Sequence, residues 1–351
     1  MSVFPSHISP EPLIYCRSSS ADPSFNLACE EWLLREAPLS GPILFVYRNA
    51  SSVIIGRNQN PWRECALPRL VSEAMPVYRR SSGGGTVYHD HGNANFALIG
   101  HRRHYLPIRH LQLAAGALRR LGIEARINLN RDLYAGAKKI SGSAFTLTSQ
   151  RTLQHGTLLI NSDLRRLRAA LLPPSPLAQA ISGRAVPSIR ATVGNLVEFA
   201  PGFTFGKFTR SLLAVWQANH RKSPISRLYL QPGKAVKQMP GFKRYLDKYR
   251  SRQWQIARTP DFDVRWSNPW RGRQIQWSLA VCDGRVQTAA AISDNQKSPP
   301  GWARQLAAAL VGIEFWPDTL HQTLSAVMNR QASAVDCQGV AGVMDLLGLH
   351  A

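Results

Sequence analysis

The stretch from residue 79 to 90 combines glycine, arginine and hydroxyl side chains in a way that core packing does not explain. It reads Arg79-Arg80-Ser81-Ser82-Gly83-Gly84-Gly85-Thr86-Val87-Tyr88-His89-Asp90. Consecutive glycines give up side-chain burial and cost backbone entropy, so a fold tolerates them where the main chain must approach another group closely. The arginines, the serines and backbone N–H groups suit a phosphate or a carboxylate. The stretch therefore predicts an anion-holding loop, whereas the glycines taken alone are more typical of a hairpin turn.

A second stretch places a lysine among small residues, Lys138-Lys139-Ile140-Ser141-Gly142-Ser143-Ala144. On the strand predicted here, alternate side chains share a face, so Lys139, Ser141 and Ser143 point together and Ile140 and Ala144 point away. One cation and two hydroxyls would then converge on an oxygen that gains negative charge during acyl transfer. The alternative is an edge lysine that discourages strand pairing.

Four further residues could contribute chemistry. Asp132 begins a predicted strand and could orient a ligand, while His155 begins another and could donate to an acyl group or act as a base. Taken singly, each is more often structural. His89 and His91 flank one carboxylate, and such a set without further ligands is weak evidence for a metal site, so the sequence assigns no metal.

Several other catalytic classes fail on spacing. The glycines are consecutive and flanked by strand-like residues, so they do not form a G-x-G-x-x-G turn that opens a helix. Gly206-Lys207-Phe208 lacks the Ser or Thr of a phosphate-binding loop, and no G-x-S-x-G turn occurs in the sequence. Kinase and hydrolase functions are therefore excluded.

The elements that must position these residues alternate between helix and strand. Apolar spacing and capping predict helices at 24–37, 61–75, 108–121, 163–171, 208–218, 242–250, 301–310 and 318–328. Strands are predicted at 43–47, 53–56, 94–99, 123–127, 133–135, 139–147, 152–160, 263–266, 275–282 and 286–292. The first two strands are expected to form a hairpin, and 181–194 a long loop. The fold class is α/β (α+β), with domains at 1–258 and 259–351.

Composition limits the classes of partner. Among 351 residues, 43 Lys and Arg against 21 Asp and Glu give a net charge of +22, which favours polyanionic partners. The basic regions lack the aromatic interleaving of a single-strand binder, so nucleic acid is disfavoured. No apolar run is long enough for a membrane span. The five cysteines include no CxxC pair and predict reduced thiols.

Five motifs in this order resemble lipoate–protein ligase A and the related mitochondrial lipoyltransferases. They cover roughly residues 25 to 200, and the last 90 residues match only in general character. The motifs are Asn26-Leu27-Ala28-x-Glu30-Glu31, Val53-Ile54-Ile55-Gly56-Arg57-Asn58-Gln59-Asn60-Pro61-Trp62, the run from Arg80 to Asp90, Lys139-Ile140-Ser141-Gly142-Ser143-Ala144, and His155-Gly156-Thr157-Leu158-Leu159.

The resemblance implies a catalytic domain of the class II biotin/lipoate-ligase type, with mixed sheets and flanking helices, followed by a small α/β accessory domain. It implies that Lys139 is catalytic and contacts both the acyl carbonyl and the adenylate phosphate. Asp132 would lie at the nucleotide, His155 at the acyl end, and Tyr47 where bacterial ligases often have Trp. The other residues that would line the acyl and adenylate site are Arg80, Ser82, Gly83, Gly84, Gly85, Thr86, Val87, His89, Ser141, Gly142 and Ser143.

The activity implied is transfer of a lipoyl or octanoyl group, carried as acyl-AMP or by lipoylated H protein, to a lysine of a lipoyl domain. An ATP-dependent ligase that performs both activation and transfer is the alternative, with ATP and Mg²⁺ as its further cofactors. The expected partners are acidic lipoyl domains of E2 subunits and H protein, which a basic monomer would attract. A non-catalytic binder of acidic proteins or nucleic acid on a ligase scaffold is the rival class.

Localisation is expected to be mitochondrial from the resemblance and the basicity, with a cytoplasmic protein as the alternative. The first fifteen residues contain neither a signal peptide nor a convincing mitochondrial presequence.

Overall fold

The computed structural model describes residues 12–38, 41–173, 175–220, 223–294, 298–331 and 334–349, so the first eleven residues of the N-terminal segment discussed above lie outside it. The strands are β1 (Leu13–Ser18), β2 (Ile43–Tyr47), β3 (Ser52–Ile55), β4 (Val77–Arg79), β5 (Val87–His89), β6 (Asn93–His101), β7 (Arg126–Ile127), β8 (Leu133–Ala135), β9 (Lys138–Ser141), β10 (Ser143–Leu147), β11 (Arg151–Leu159), β12 (Ile181–Gly183), β13 (Ile225–Leu230), β14 (Phe262–Trp270), β15 (Arg273–Cys282) and β16 (Arg285–Ser293). The helices are α1 (Pro23–Arg35), α2 (Pro61–Glu64), α3 (Leu67–Ser72), α4 (Pro107–Arg119), α5 (Leu164–Ala170), α6 (Ser175–Ala180), α7 (Phe205–Asn219), α8 (Pro232–Gln238), α9 (Phe242–Arg250), α10 (Gly301–Leu310), α11 (Pro317–Met328) and α12 (Ala334–Leu347).

A six-stranded mixed sheet, in the order β10-β11-β6-β2-β1-β13, forms the centre of the N-terminal part. Every residue of β2 is buried. Leu44 and Val46 pack in the core that contains α4 and α7, while Phe45 and Tyr47 pack in the core with α1 and α9. A strand buried on both faces reads as a continuous apolar run rather than an alternating one. The α/β class predicted from the sequence is confirmed.

The predicted hairpin between the second and third strands is wrong. β2 pairs with β1 and β6, whereas β3 pairs with β4 and β5 in a separate three-stranded sheet. The linker is fixed by Asn49, which is buried and bonded to Asn26 and His89, and by Ala50, whose N–H donates to the carbonyl of Ala21. These contacts turn the chain out of the first sheet, so β3 forms the centre of a separate small sheet, and the glycine run connects the outer strands β4 and β5 of that sheet.

The helix predicted at 61–75 is divided into α2 and α3. Cys65 between them has extended backbone angles, φ −145° and ψ 166°. Pro68 lies in the first turn of α3, where its missing N–H costs no hydrogen bond. In one continuous helix the same proline would have removed an interior hydrogen bond. The division follows from that proline.

The strand predicted at 139–147 is interrupted at Gly142. β9 pairs with β8 in a three-stranded sheet, and β10 pairs with β11 in the central sheet. The carbonyl of Gly142 accepts a hydrogen bond of 3.0 Å from the N–H of Thr157. Because the chain changes sheet here, the alternation of faces is not continuous, and the prediction that Lys139, Ser141 and Ser143 share one face is wrong.

The C-terminal part contains a four-stranded antiparallel sheet, β12-β14-β15-β16, packed against α10. β12 belongs to the segment 181–194, so the predicted long loop begins with a strand that pairs with the C-terminal sheet. Trp62 from α2 donates to the carbonyl of Phe315 at 3.0 Å, so the two parts share a buried contact. The domain bounds of 1–258 and 259–351 stay a prediction. Within the described residues, no helix has the length and apolar character needed to cross a membrane.

Candidate functional site

An inner cavity of about 290 Å³ lies between the glycine run and the strands β9, β10 and β11. It brings together all but three of the residues that the sequence analysis assigned to the acyl and adenylate site. The assigned residues that line it are Tyr47, Arg80, Gly84, Gly85, Thr86, Val87, His89, Asp132, Lys139, Gly142, Ser143 and His155.

The three remaining residues lie close by but off the wall of the inner cavity. Ser82 is buried behind it, and the carbonyl of Gly83 is held by Arg80. Ser141 lines a neighbouring outer cavity of about 600 Å³, which also contains Lys139. The geometry thus gathers the predicted set, and the chemical role of each residue stays a prediction.

Lys139 stands where the two cavities meet, since it lines both. Its Nζ lies 2.9 Å from Oδ1 of Asp132, and about a fifth of its side chain is exposed. Its backbone is fixed by the segment 181–194, because its N–H donates to Thr192 O at 2.9 Å and its carbonyl accepts from Gly194 at 3.1 Å. The amine is therefore both accessible and held in place.

Asp132 is positioned by an unusual turn. Arg131 adopts a left-handed conformation with φ 62°, which is uncommon for a residue other than glycine. The side chain of Asn128 accepts a 2.8 Å hydrogen bond from the N–H of Asp132, and Ser143 donates to the carbonyl of Arg131 at 3.0 Å. The turn aims the carboxylate at Lys139, and the side chain of Ser143 is used to hold the turn.

Arg80 is buried and holds the glycine run by its carbonyls. Its Nη2 donates to the carbonyls of Gly83 and Gly85 at 2.7 and 2.6 Å, and its Nη1 donates to Ile54 O at 3.1 Å. Its Nε donates to Ser82 Oγ at 3.0 Å. Burial lowers the pKa of this guanidinium to about 10, so it stays charged at neutral pH. Arg80 is committed to positioning the loop.

Arg79 has the same kind of role on the opposite side of its strand. It is fully buried and donates to the carbonyls of Gly56, Gln59 and Gln255 and to the hydroxyl of Thr259. The prediction that these two arginines hold the anion is therefore not supported by the geometry. The arginines that do line the outer cavity are Arg63, Arg168 and Arg190.

The backbone of the glycine run approaches that of Gly56 so closely that Gly56 has no room for a side chain. A Cβ on Gly56 would lie 2.1 Å from the carbonyl oxygen of Gly84, which is closer than any real contact. Gly84 itself has φ 82°, a conformation that favours glycine. One side of the run packs against the main chain at Gly56, and its other side, at Gly84 and Gly85, lines the inner cavity. The run is therefore not a simple hairpin turn.

A buried chain of hydrogen bonds supports His155 from behind the cavity. His155 Nδ1 donates to Oε2 of Glu30 at 2.8 Å, and the hydroxyl of Tyr47 donates to Oε1 of the same carboxylate at 3.0 Å. Ser82 Oγ lies 2.8 Å from His155 Nε2. Burial and the nearby Glu30 carboxylate raise the pKa of Tyr47 well above its ordinary value, so its hydroxyl remains a donor.

The order Ser82, His155, Glu30 is that of a nucleophile, a base and an orienting acid. Ser82 is, however, 1% exposed and does not line either cavity, and its oxygen already accepts from Arg80. A substrate carbonyl cannot reach it. The chain of contacts therefore fixes the orientation of the His155 ring. Glu30 lay within a motif quoted from the sequence, but its role there was not assigned.

The segment 181–194 closes over the outer cavity and is latched by Ser188. Its Oγ accepts from the N–H of Thr86 at 2.9 Å and from Nε2 of Gln59 at 3.0 Å, and donates to the carboxylate of Glu64. The N–H of Val186 donates to the carbonyl of Asn58 at 3.0 Å. No pattern in the sequence singled out Ser188, because one serine in a long polar segment carries no periodic signal.

Thiol chemistry has no place in the site. Cysteines are absent from both cavity walls as far as the structure describes them. Cys16, Cys29 and Cys65 are buried, and burial raises the pKa of Cys16 to about 12. All five cysteines are free, as the sequence predicted.

Comparisons with known proteins found one matching family model and several solved structures with a similar fold. Residues 22–217 match the model of the lipoyl protein ligase A/B catalytic domain. A P. falciparum protein, LipL1, in complex with lipoate is 24% identical with a TM-score of 0.61, over 95% of this chain and 98% of that one. A bipartite lipoate protein ligase from Thermoplasma acidophilum, studied with its E2 lipoyl domain, is 23% identical with a TM-score of 0.58, over 70% and 96%. Lipoate-protein ligase A bound with ATP is 25% identical with a TM-score of 0.57, over 70% and 98%.

Proposed function

Because this chain belongs to the family of lipoyl protein ligase A/B catalytic domains, we propose that it transfers a lipoyl or octanoyl group to a specific lysine of a lipoyl domain. The acyl group would be carried as an acyl adenylate, and lipoylated H protein is a second proposed donor. The observation that carries the proposal is the position of Lys139 at the junction of a narrow inner and a wider outer cavity.

An acyl adenylate has the shape that these two cavities together would accept. Its thin acyl chain suits the inner cavity of about 290 Å³, and its nucleotide suits the outer cavity of about 600 Å³. The anhydride that joins them would then lie at Lys139. Asn93 Oδ1 and Ser141 Oγ are buried polar atoms of the outer cavity without a partner in the described part of the chain, so they are available to a nucleotide.

The chemistry required is modest, because an acyl adenylate is already activated. The amine of the acceptor lysine attacks the carbonyl, the bond between the carbonyl carbon and the phosphate oxygen breaks, AMP leaves, and the amine loses a proton to solvent. Lys139 would stabilise the negative charge that develops on the carbonyl and phosphate oxygens. The rest of the task is to hold the two reactants in position and to exclude water.

The latch at Ser188 is the feature most suited to excluding water. We expect Ser188→Ala to loosen the segment 181–194, because it removes the acceptor of Thr86 N–H and Gln59 Nε2. Hydrolysis of octanoyl-AMP should then rise about three- to tenfold relative to transfer. The measurement is the ratio of free octanoate to octanoylated acceptor after complete consumption of octanoyl-AMP.

The control for the latch is Ser182→Ala, which makes the same change at an exposed serine of β12. It should keep the wild-type ratio of hydrolysis to transfer. An unchanged ratio in Ser188→Ala would show that the latch does not protect the adenylate.

The acyl source decides between transferase and ligase. Family relatives bind lipoate and ATP. We propose transfer without a strict need for ATP, with an ATP-dependent ligase as the alternative. If Mg²⁺ takes part with ATP, Asp132 is the carboxylate of the inner cavity that could contribute to it, and phosphate oxygens would supply other ligands.

The acceptor is proposed to be an acidic lipoyl domain. A relative from Thermoplasma acidophilum was studied with its E2 lipoyl domain. A net charge of +22 would attract an acidic acceptor, and exposed Arg168 and Arg190 line the cavity that it must approach.

The experiment that tests the proposed function offers three acyl sources in parallel to the purified chain and an apo lipoyl domain. These are octanoate with ATP and Mg²⁺, octanoyl-AMP, and octanoylated H protein. Intact mass of the acceptor reports transfer. Modification of the acceptor with octanoyl-AMP supports the proposal. The reactions with octanoate plus ATP and with octanoylated H protein show which acyl source the protein uses. An unmodified acceptor in all three reactions would contradict the proposed function.

A further inference from the structure

The inner cavity is not lined by apolar groups alone. His89 is 3% exposed, lines this cavity, and its Nε2 has no hydrogen-bond partner among the described residues. Asn95 lies on the same wall and is equally buried, and its Nδ2 is also without a partner in that part of the structure. A buried polar group left unpaired costs about 1–3 kcal/mol, so such groups in a binding cavity point to a ligand that satisfies them.

The hydrogen bonds behind His89 determine which of its nitrogens carries the proton. Asn26 Nδ2 donates to the carbonyls of Ser20 and Arg48 and to Oδ1 of Asn49. Carbonyl partners identify this atom as the nitrogen, so Asn49 presents oxygen to Asn26 and its own Nδ2 to His89 Nδ1, 2.9 Å away. His89 Nδ1 therefore accepts, and in the neutral ring the proton is on Nε2.

The ring remains neutral over the physiological range. Burial, with a further contribution from the neighbouring Arg80 and His155, lowers the pKa of His89 to about 3. The unpartnered Nε2 is thus an N–H donor.

His89 lines the inner cavity and does not line the outer one. The titratable groups that act on it are Arg80 and His155, which line the same cavity and are joined to each other through Ser82. Lys139 lies instead at the junction with the outer cavity. If the reacting carbonyl is at Lys139, as the proposed function requires, His89 faces the far end of the acyl chain.

We propose that His89 is a specificity-determining residue that recognises the distal end of the acyl chain and favours a tail bearing sulfur acceptors, the cyclic disulfide of lipoate, over a purely hydrocarbon tail. The inference rests on the proposed function and goes further by assigning chain preference. A hydrocarbon tail leaves the N–H unpaired, whereas a sulfur atom gives it a weak acceptor. A site built to donate a hydrogen bond discriminates against ligands that cannot accept one.

The test measures binding, so that it does not depend on transfer activity. Three non-reactive acyl sulfamoyl adenosines are compared by calorimetry, carrying lipoyl, octanoyl and 5-cyclopentylpentanoyl chains. The cyclopentyl chain has the ring of lipoate with both sulfurs replaced by carbon, so it separates ring shape from acceptor chemistry. The wild-type chain should bind the lipoyl compound about three- to tenfold more tightly than the cyclopentyl compound.

In His89→Leu the ratio of the two dissociation constants should fall to about one, because the donor is gone. His91→Leu makes the same change at an exposed histidine two residues away and should keep the wild-type ratio. If His89→Leu does not fold, the ratio of the two dissociation constants in the wild type still tests the proposed preference for sulfur. Equal binding of both compounds by the wild type, or an unchanged ratio in His89→Leu, would overturn this inference alone. Failure of all three compounds to bind would instead contradict the proposed function.

Discussion

Replacing Lys139 with alanine is expected to lower the rate of transfer from octanoyl-AMP to an apo lipoyl domain by about 10²- to 10³-fold or more. The amine lies at the meeting point of the two cavities, and its backbone is anchored on both sides by Thr192 and Gly194. Among the described residues, the other Lys or Arg of the inner wall is Arg80, which cannot replace it because its guanidinium is committed to carbonyls of the glycine run. The measurement is the initial rate of acceptor modification by intact mass.

Lys138 provides the matched control for this substitution. It precedes Lys139 in β9, but its Nζ forms an ion pair with Glu198 Oε2 at 2.5 Å, away from both cavities. Lys138→Ala should therefore keep most of the wild-type rate. A Lys139→Ala variant that transfers as fast as Lys138→Ala would remove Lys139 from the mechanism.

The substitution Arg80→Met is expected to lower the free energy of unfolding by about 3–5 kcal/mol. The buried guanidinium binds the carbonyls of Ile54, Gly83 and Gly85, and methionine leaves all three without this donor. The glycine run should also lose its shape, so transfer activity should fall even at temperatures where the variant is folded. Urea denaturation followed by tryptophan fluorescence gives the stability.

Arg57→Met removes an exposed arginine close to the same loop and should change the free energy of unfolding by no more than about 0.5 kcal/mol. If Arg80→Met is as stable as Arg57→Met, the carbonyl contacts do not hold the loop. If it is destabilised but fully active when folded, the geometry of the loop does not matter for transfer.

The elements with strong local signals were predicted well. Helix α9 and helix α10 have the bounds that apolar spacing predicted. β1 was missed, and it pairs in parallel with both β2 and β13, partners that are distant in sequence. A short strand that gains its place from remote partners carries little pattern of its own. The predicted hairpin failed for the same reason, because the buried contacts of Asn49 decide where the chain turns.

In the site, the residue types predicted which segments line the cavity, but the role of each side chain depends on its contacts in the folded structure. The glycine run and the segment around Lys139 were found from the order of residue types along the chain, and the resemblance implied the catalytic role of Lys139. The two arginines looked equally suited to an anion, and only the structure shows that Arg79 and Arg80 bind main-chain carbonyls. Ser188 and the unpaired nitrogen of His89 could not be inferred, because each depends on burial and on groups brought together by the fold.

The central claim is that the inner cavity holds an acyl chain, the outer cavity holds a nucleotide, and Lys139 binds the group between them. A crystal structure with lipoyl sulfamoyl adenosine tests this most directly. The account predicts the dithiolane ring near His89, the nucleoside beneath the segment 181–194, and Lys139 Nζ about 2.6–3.2 Å from the acyl carbonyl oxygen. A ligand bound in the reverse direction, or outside the two cavities, would contradict it.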